Sequence, residues 1–564
     1  MSGPGVEELV DDRGLHWRID PAYADAVRRS LLPHFDELSR RPGVDVVKRN
    51  NVRTVMRFAL DVDGMLQQVY LKRYHAPGSF EAIKRTLFGS RARHEWEMAT
   101  ALEAAGIRTA HPIAWAEKRR FGVVVDAAYL CVGLVDAIDF CPYVESRAPE
   151  PERDTADALR RRTLLGELAR RVRRMHDRGL DHGDLHGGNV LVVPDATHRD
   201  VELHLIDLHR ASRRAGPVPL RTRVARVAQL LHSIRSVADA SARYRFVRDY
   251  AAGLDGIGEI KHLVHEIERR IIARERRRLL SRSKRSLTRS SRFDLDRKDG
   301  FSVWFRRTHP AARLVDAVRD LDRAGPRPDD PAVFKRGPRA IVTRGRVRGP
   351  WGEESVVIKE YRPRRLRHAL ASMLGRSRGR AAWFNGNALV VRKVRVARPY
   401  GWLVARRGPF VRRDLVVMED VSVHGERLDH HLLRRFRAGE LGRTERRALI
   451  DLGARFVAGL HRAGIYHGDL KACNLYVGED DEGRRELRLV DYDDVRFGWT
   501  VSERRRVKNL AQLSASIPRC VSRSDRLRFF LACAPADAPR WREIARAVDR
   551  ECASKIVVDM DPIE

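Results

Sequence analysis

The most regular hydrophobic pattern of the chain is helical and occurs twice. The segments TLLGELARRVRRMH and LIDLGARFVAGLH carry apolar residues every three or four positions, which predicts one amphipathic helix in each. The residues on the two apolar faces are Leu164, Leu168, Val172 and Met175, then Leu452, Phe456 and Leu460. Both predicted helices lead into the tripeptide HGD, so the same element precedes the same motif at two places in the chain.

Short apolar runs rich in β-branched residues predict strands, among them VYLKRY and LHLID. The most apolar stretch, residues 121–140, contains Asp126, Asp136 and Asp139, whose charges are costly at bilayer depth. We therefore interpret it as two buried strands and expect no transmembrane helix. In each half of the chain the predicted order is strands, one helix, more strands and then mostly helices, which is typical of a two-lobed α+β domain.

Two long segments match each other in order and nearly in spacing, which indicates a tandem duplication. The first contains VYLKRYH, LDHGDLHGGNVLV and LHLIDLHRA, and the second contains VVIKEYR, IYHGDLKACNLYV and LRLVDYDDV. The offsets between matched residues drift by only three positions, in the pairs Lys72 and Lys359 (287), Asp184 and Asp469 (285), and Asp207 and Asp491 (284).

The duplication predicts two domains with a polar segment between them. We expect the first domain over residues 1–280 and the second over residues 331–564. The basic stretch RERRRLLSRSKRSLTRSSR precedes FDLDRKDGFSVWFRR, whose pattern predicts a hairpin. Residues 281–330 are accordingly predicted to form a basic linker that carries this hairpin.

Charge and cysteine usage narrow the cellular setting. The 110 Lys and Arg residues against 76 Asp and Glu give a net charge of +34, which attracts polyanions such as an anionic membrane surface or nucleic acid. No recognition motif accompanies the charge, so we do not expect nucleic acid as a partner. The six cysteines lack metal or disulfide spacing, and the first residues lack the features of a signal peptide. We expect a cytoplasmic protein, peripheral at the inner face of the cytoplasmic membrane. The sequence gives no indication of the oligomeric state.

Residues suited to phosphoryl transfer from ATP occur in the first half. Such transfer needs a cation on the nucleotide phosphates, oxygen ligands for Mg²⁺ and a carboxylate beside the acceptor hydroxyl. Lys72 in VYLKRY would contact the phosphates, and Glu95 on the next helix would pair with it. Asp184 would orient the acceptor hydroxyl, and Asn189 and Asp207 would bind the metal.

The same set recurs in the second half. Lys359 would contact the phosphates, Asp469 would orient the hydroxyl, and Lys471 would lie near the transferring phosphate. Asn474 and Asp491 would bind the metal. The sequence therefore predicts two sites for ATP and Mg²⁺.

The two catalytic loops, residues 182–189 and 467–474, read H-x-D-x-x-x-x-N and precede a further Asp. This order resembles the protein-kinase-like superfamily. The resemblance implies two tandem bilobal domains, each with a β-rich N-lobe and a helical C-lobe. HGD in place of HRD is similar to the small-molecule kinases of that superfamily.

Further motifs narrow the resemblance. The pair Glu95–Trp96 ahead of GIRTAHP, the loop HGDLHGGN and the sequence LIDLHRA resemble the lipopolysaccharide kinase family, which phosphorylates Kdo or heptose in the inner core. The similarity persists in the second half through RAAW, VRVARP and HGDLKACN. It implies an ATP- and Mg²⁺-dependent kinase whose acceptor is a sugar hydroxyl of a glycolipid. Another glycan or an aminoglycoside-like small molecule is the alternative acceptor.

The second half departs from the family pattern at one position of consequence. Aligning Trp96 with Trp383 places Ala382 where Glu95 stands, so Lys359 lacks its usual partner. The second half is then a weakened kinase, a differently wired kinase or a pseudokinase that regulates the first half. Neither half has a strong Gly-rich loop, since KRNNVR contains no glycine and KRGPR contains one.

Overall fold

The first lobe of the structure is built on a seven-stranded antiparallel sheet. The computed structural model describes residues 5–75, 89–146, 155–194, 201–252, 257–324, 333–362, 375–533 and 541–553, and the chain divides into two compact units, Met1–Arg276 and Arg277–Glu564. The strands of the first sheet are β1 Glu7–Val10, β2 His16–Ile19, β3 Asp45–Arg49, β4 Arg53–Val62, β5 Met65–Tyr74, β6 Pro112–Arg120 and β7 Val123–Val132. Their order in the sheet is β1-β2-β6-β7-β5-β4-β3.

Helices dominate the rest of the first unit, where two small sheets hold the catalytic segments. The helices are α1 Arg91–Ala104, α2 Phe140–Ser146, α3 Thr155–Asp177, α4 Leu220–Ser233, α5 Ala240–Tyr250 and α6 Ile257–Lys284, the last of which continues into the second unit. Short helical turns also occupy residues 21–40. The small sheets contain β8 Ile138–Asp139, β10 Val190–Pro194 and β11 Val201–Leu205, and separately β9 Leu180–Asp181 and β12 Ser212–Arg213.

The second unit repeats the first sheet strand for strand. Its strands are β13 Phe293–Lys298, β14 Phe301–Arg306, β15 Val333–Arg336, β16 Ala340–Gly349, β17 Gly352–Tyr361, β18 Pro399–Arg407 and β19 Phe410–Glu419. The order β13-β14-β18-β19-β17-β16-β15 matches that of the first sheet. Helices α7 Ala311–Ala324 and α8 Arg378–Val391 belong to this lobe.

The helical lobe of the second unit follows the same plan. Its helices are α9 Leu428–Arg437, α10 Arg443–Arg462, α11 Glu503–Ser516, α12 Arg523–Cys533 and α13 Trp541–Ala553. Its strands are β20 Gly425–Arg427, β21 Ile465–His467, β22 Leu475–Glu479, β23 Arg485–Leu489 and β24 Val495–Phe497. Two α+β domains, each with a β-rich and a helical lobe, are therefore present, as the sequence predicts.

The hairpin that the sequence assigns to a linker belongs to the second sheet. Strands β13 and β14 pair with each other, and β14 pairs with β18 as β2 pairs with β6 in the first unit. Residues 281–324 are thus part of the second unit, and the boundary lies at Arg276 rather than at residue 280; residues 325–330 lie outside the described residues. The linker prediction missed this because β18 follows about a hundred positions later, and such distant pairing leaves no local pattern.

The predicted amphipathic helices form with their apolar faces in the core. In α3 the four predicted residues are buried, and Leu168 and Val172 are fully so. In α10 the buried face includes Val457, whereas Leu452 and Phe456 are only partly buried at its margin. Both segments are therefore helical, as predicted, and the centre of the buried face of α10 lies about one residue from its predicted position.

The most apolar stretch contributes one long strand rather than two. Strand β7 takes up its first part, and the second predicted strand is reduced to the two residues of β8. Asp136 lies between them with φ of +54°, in a turn that interrupts the extended backbone. Over the described parts of the chain, no helix combines the length and the apolar character needed to cross a membrane.

The packing of α3 leads to a stability prediction. Leu168 is fully buried, so Leu168→Ala should lower the free energy of unfolding of the first unit by about 2–5 kcal/mol through lost burial and a cavity. Leu159 lies on the same helix and is 61% exposed, so Leu159→Ala should change it by less than about 0.5 kcal/mol. Urea unfolding of the full chain measures both; equal losses would contradict the packing of this helix.

Candidate active site

A buried ion pair joins the first sheet to helix α1. Lys72 lies near the end of β5, and its Nζ is 2.9 Å from Oε2 of Glu95. Helix α1 begins after Ser90, whose Oγ accepts from the Arg93 amide, so Glu95 lies in the second turn, where it is 1% exposed. Burial opposes the ammonium charge, but Glu95 raises the pKa of Lys72 above its ordinary value. The lysine is therefore held charged and pointed toward the helix.

Asp207 accepts hydrogen bonds from two side chains that sequence reasoning missed. Arg53, the first residue of β4, donates from Nη1 to Oδ1 at 3.1 Å and from Nη2 to Oδ2 at 3.2 Å. His209 Nδ1 lies 2.8 Å from Oδ1, and Lys72 Nζ lies 3.9 Å from the same oxygen. Burial would raise the pKa of Asp207, but the hydrogen bonds from His209 and Arg53 and the charge of Lys72 lower it. The carboxylate is consequently ionised.

Three side chains of this site form a group suited to a cation. Among the described residues, ligand atoms of Glu95, Asp207 and His209 lie within 4.8 Å of one another. Glu95 Oε1 is buried without a hydrogen-bond partner, and Nη1 of Arg53 is 4.0 Å from it. A buried carboxylate oxygen that accepts no hydrogen bond is costly, and a cation in this space would remove that cost.

The sequence held weak signals for both missed residues. His209 stands two positions after Asp207, in the segment LIDLHRA. Arg53 ends the glycine-free segment KRNNVR between β3 and β4, where a cation could take over contacts that backbone amides make in a Gly-rich loop.

The first catalytic loop holds its aspartate from two sides. Oδ1 of Asp184 accepts from Nε2 of Gln229 at 2.6 Å, and Oδ2 lies 3.4 Å from Nη1 of Arg210. Asn189 Nδ2 donates to the backbone carbonyl of Asp184 at 3.0 Å, which closes the loop. The carboxylate remains 27% exposed, so it can meet a hydroxyl from solvent. Gln229 projects from α4 and was not predicted.

The base of this loop is fixed by two buried contacts. His182 is 1% exposed and donates from Nε2 to the carbonyl of Ile206 at 3.0 Å, next to Asp207. Burial lowers the pKa of His182, so the imidazole is neutral. Arg226 from α4 donates to both carboxylate oxygens of Asp181 at 2.7 and 3.0 Å. These contacts connect the loop both to the segment that carries Asp207 and to the helical lobe.

In the second unit Lys359 pairs with two aspartates of the triplet DYD. Its Nζ donates to Oδ1 of Asp491 and lies 3.1 Å from Oδ1 of Asp493. Asp493 follows Asp491 by two positions, as His209 follows Asp207 in the first unit. The helix partner is absent, as Ala382 predicts, and the carboxylates that pair with Lys359 come from the DYD segment instead.

The two carboxylates of this triplet differ in their tendency to ionise. Burial and the hydrogen bond with Asp491 raise the pKa of Asp493. Burial would also raise the pKa of Asp491, but its hydrogen bond with Asp493 and the charge of Lys359 lower it. Asp491 therefore loses its proton at a lower pH than Asp493 does. Asp491 also has φ of +56°, as Asp207 has φ of +63°.

Two charged residues of the first site are alanines in the second. Helix α8 begins after Ser377 as α1 does after Ser90, which places Ala382 at the position of Glu95. Ala340 pairs with Tyr361 in the register in which Arg53 pairs with Tyr74. The second unit lacks both the helix carboxylate and the strand arginine.

A neutral contact ties helix α8 to the DYD segment instead. Nδ2 of Asn385 donates to the backbone carbonyls of Tyr492 and Asp493 at 3.1 and 3.2 Å, and Asn385 is buried. An amide from the helix therefore holds the backbone of the segment whose side chains hold Lys359.

The second catalytic loop keeps its shape with altered contacts. Asn474 Nδ2 donates to the carbonyl of Asp469 at 2.9 Å, as in the first unit. Lys471 Nζ lies 3.0 Å from Oδ1 of Asp469, and both side chains are about half exposed. Gln512, which projects from α11 as Gln229 does from α4, donates to the carbonyl of Gly468 at 2.8 Å. The aspartate here is paired with the neighbouring lysine, and the glutamine holds the backbone.

Comparison with known proteins identifies relatives for both units. The "Lipopolysaccharide kinase (Kdo/WaaP) family" matches residues 39–250 and 353–532. The lipopolysaccharide core heptose(I) kinase WaaP of Escherichia coli strain K12 is 28% identical over 196 residues, which cover 34% of this chain and 70% of that protein. Another Escherichia coli WaaP is 27% identical over 199 residues, 34% of this chain and 69% of that protein.

A solved structure of WaaP in complex with acyl carrier protein is also similar, with a TM-score of 0.34 and 23% identity over 47% of this chain and 98% of that chain. The two family matches together span more than half of the chain, and each contains one of the two catalytic loops. The chain therefore belongs to the lipopolysaccharide kinase (Kdo/WaaP) family and is a kinase with an alcohol group as its acceptor.

Proposed function

We propose that the protein is an ATP- and Mg²⁺-dependent kinase of a sugar hydroxyl in a lipopolysaccharide-like glycolipid. The observation that carries the proposal is the convergence of Lys72, Glu95 and Asp207 beside a catalytic loop that presents Asp184 and Asn189. The net charge of +34 supports a place at the inner, anionic face of the cytoplasmic membrane, where such an acceptor is anchored.

The residues of the first site fit both the nucleotide and the metal. Lys72 would bind the phosphates, and Asp207 and Asn189 supply the oxygen donors that Mg²⁺ prefers. The bound metal neutralises charge on the transferring phosphoryl group. Asp184, held by Gln229 and partly exposed, would orient the acceptor hydroxyl and accept its proton.

Arg53 would change partners when nucleotide and metal bind, and it would supply phosphate contacts that the glycine-free loop lacks. Its guanidinium donates to both carboxylate oxygens of Asp207, so it would have to move away before those oxygens bind a metal ion. Because Arg53 adjoins the loop over residues 50–52, it would then contact the nucleotide phosphates. A planar guanidinium binds phosphate through two hydrogen bonds and would replace part of the missing backbone cradle.

The second unit supports two candidate functions. Asp491, Asp493 and Asn474 offer oxygen ligands beside Lys359, which favours a second site for nucleotide and metal. The loss of the charged residues at Ala340 and Ala382 favours the alternative, a pseudokinase that regulates the first unit. A protein with one active glycan or small-molecule kinase domain and one regulatory domain would follow.

The proposed reaction predicts transfer to a soluble acceptor. The full chain with ATP, Mg²⁺ and deacylated core oligosaccharide should add one phosphate to a sugar, detected by mass spectrometry, and EDTA should abolish the transfer. Transfer to an aminoglycoside or another glycan alone would support the alternative acceptors. ATP consumption without any phosphorylated acceptor across the panel would exclude the sugar kinase.

One conservative substitution in each unit tests which of the two units catalyses the transfer. Asp184→Asn should lower transfer by roughly 100-fold to 10,000-fold if the first site alone catalyses, since a positioned base contributes that much. Asp469→Asn should then leave the rate within about twofold. A partial loss with each variant would instead indicate two active sites. Asp451→Asn, an exposed change on α10, is the control for the charge that is removed.

Arg53 is tested against Arg57, which lies on the same strand and pairs with the exposed Asp45 at 2.6 Å. Arg53→Ala should raise the KM for ATP about tenfold or more, because a charged contact worth about 1.4 kcal/mol is lost. Arg57→Ala should leave it unchanged. If Arg53 only blocks Asp207, its removal would lower the Mg²⁺ concentration needed for activity and leave the KM for ATP as it was.

A further inference from the structure

One hairpin turn of the first sheet carries a residue that its backbone geometry disfavours. Within the described segments, three two-residue turns have positive φ at both positions, namely Asp63–Gly64 (51° and 84°), Asp299–Gly300 (53° and 82°) and Phe121–Gly122 (50° and 78°). Such turns favour Asn or Asp followed by Gly, because a short polar side chain tolerates the left-handed region and a bulky one is strained there. The turn between β6 and β7 therefore departs from the rule that the other two follow.

The departure cannot be attributed to packing. Phe121 is 94% exposed, so its ring gains almost nothing from burial in the unit. The three residues before it are Lys118, Arg119 and Arg120, and the guanidinium of Arg120 lies 5.7 Å from the centre of the ring. The turn thus presents an aromatic ring beside Arg120 and close in sequence to Lys118, whereas Arg119 is paired with Glu117 at 2.9 Å. This exposure costs both backbone strain and hydration.

The corresponding hairpin of the second sheet has the same character with a different sequence. Phe410 begins β19 and is 59% exposed. Residues 406–413 contain four arginines, of which Arg413 is paired with Glu360 and Asp322. Both units therefore present an exposed phenylalanine among cations at the tip that joins the sixth and seventh strands of the sheet.

Two other hairpin tips that expose large apolar residues lie at the opposite end of the sheets and lack a surplus of cations. Met65 and Leu66, 75% and 78% exposed, begin β5, and residues 61–66 contain two aspartates and no cation. Trp351, 93% exposed, lies between two arginines and two glutamates of residues 346–354. In the first sheet Tyr74 at the end of β5 pairs with Ala127 near the start of β7, and with Arg53 at the start of β4. The Phe121 tip is consequently at the same end as the loop over residues 50–52.

We propose that the Phe121 and Phe410 tips dock the protein on an anionic bilayer. An aromatic ring inserts at the level of the lipid head groups, and arginine and lysine side chains beside it attract anionic lipids. The Met65 and Trp351 tips do not combine an exposed aromatic ring with a surplus of basic residues. The positive charge of the Phe121 and Phe410 tips is therefore the reason to propose an anionic lipid surface as their partner. The proposal rests on the proposed function only in that a glycolipid acceptor is membrane-anchored, and it names the residues that would bring each site to that surface.

The test is binding of the full chain to vesicles of phosphatidylcholine with phosphatidylglycerol and to vesicles of phosphatidylcholine alone. Binding should require phosphatidylglycerol. Phe121→Asn and Phe410→Asn should each lower the vesicle partition coefficient about tenfold, and the double variant more. Phe121→Asn should also keep or raise the Tm, because Asn suits the turn, so lost binding cannot be ascribed to misfolding.

Matched controls and a soluble acceptor separate this proposal from the proposed function. Leu66→Asn and Trp351→Asn remove equally exposed apolar residues and should leave vesicle binding unchanged. Phosphotransfer to a deacylated acceptor should be the same in both phenylalanine variants as in the parent, whereas a parent without transfer would overturn the proposed function and leave the vesicle result standing. Unchanged binding in the double variant, equal losses in the controls, or a change in oligomeric state caused by the phenylalanine changes in the absence of vesicles would overturn the docking proposal.

Discussion

A lysine charge largely withdrawn from water beneath a β-sheet is the constraint on which each site depends. An ammonium group taken out of water is costly unless a carboxylate lies beside it, and the first unit meets that cost with Glu95 from helix α1. The pair fixes how the helix docks on the sheet, and it leaves the lysine pointing at Asp207, 3.9 Å away. The catalytic loop then only has to bring its own aspartate and asparagine to the same place.

The duplication shows that this constraint has more than one solution. The second unit lacks a carboxylate at the position of Glu95 and an arginine at the position of Arg53, which are opposite charges 4.0 Å apart in the first unit. Losing one alone would leave an uncompensated charge in a partly buried site. Asp493 in place of His209 then supplies the carboxylate from the segment that already holds Asp491. The helix is no longer needed for charge, and Asn385 holds it through neutral hydrogen bonds.

The sheets contribute more than a platform for the lysine. In the first unit the N-terminal hairpin of β1 and β2 precedes the residues that match the family, which begin at residue 39, and in the second unit the corresponding hairpin of β13 and β14, together with β15 and β16, precedes the match that begins at residue 353. Each sheet has one hairpin turn that follows the Asp-Gly rule, Asp63–Gly64 between β4 and β5 and Asp299–Gly300 between β13 and β14. Against that background the strained and exposed Phe121 stands out as a position where another requirement overrides the preference of the backbone.

The sequence by itself determined the repeat, the α+β order and the identity of the loop residues, because these depend on spacings of a few positions. The loop from His182 to Asn189 is closed by a contact across five residues, and α3 is specified by its own period. Only the tertiary structure decided which groups meet. Arg53 reaches Asp207 across 154 positions, and Lys359 reaches Asp493 across 134. Such contacts depend on strand register and on how a helix docks, which no local pattern encodes, so the partner of a buried charge became visible only in the folded chain.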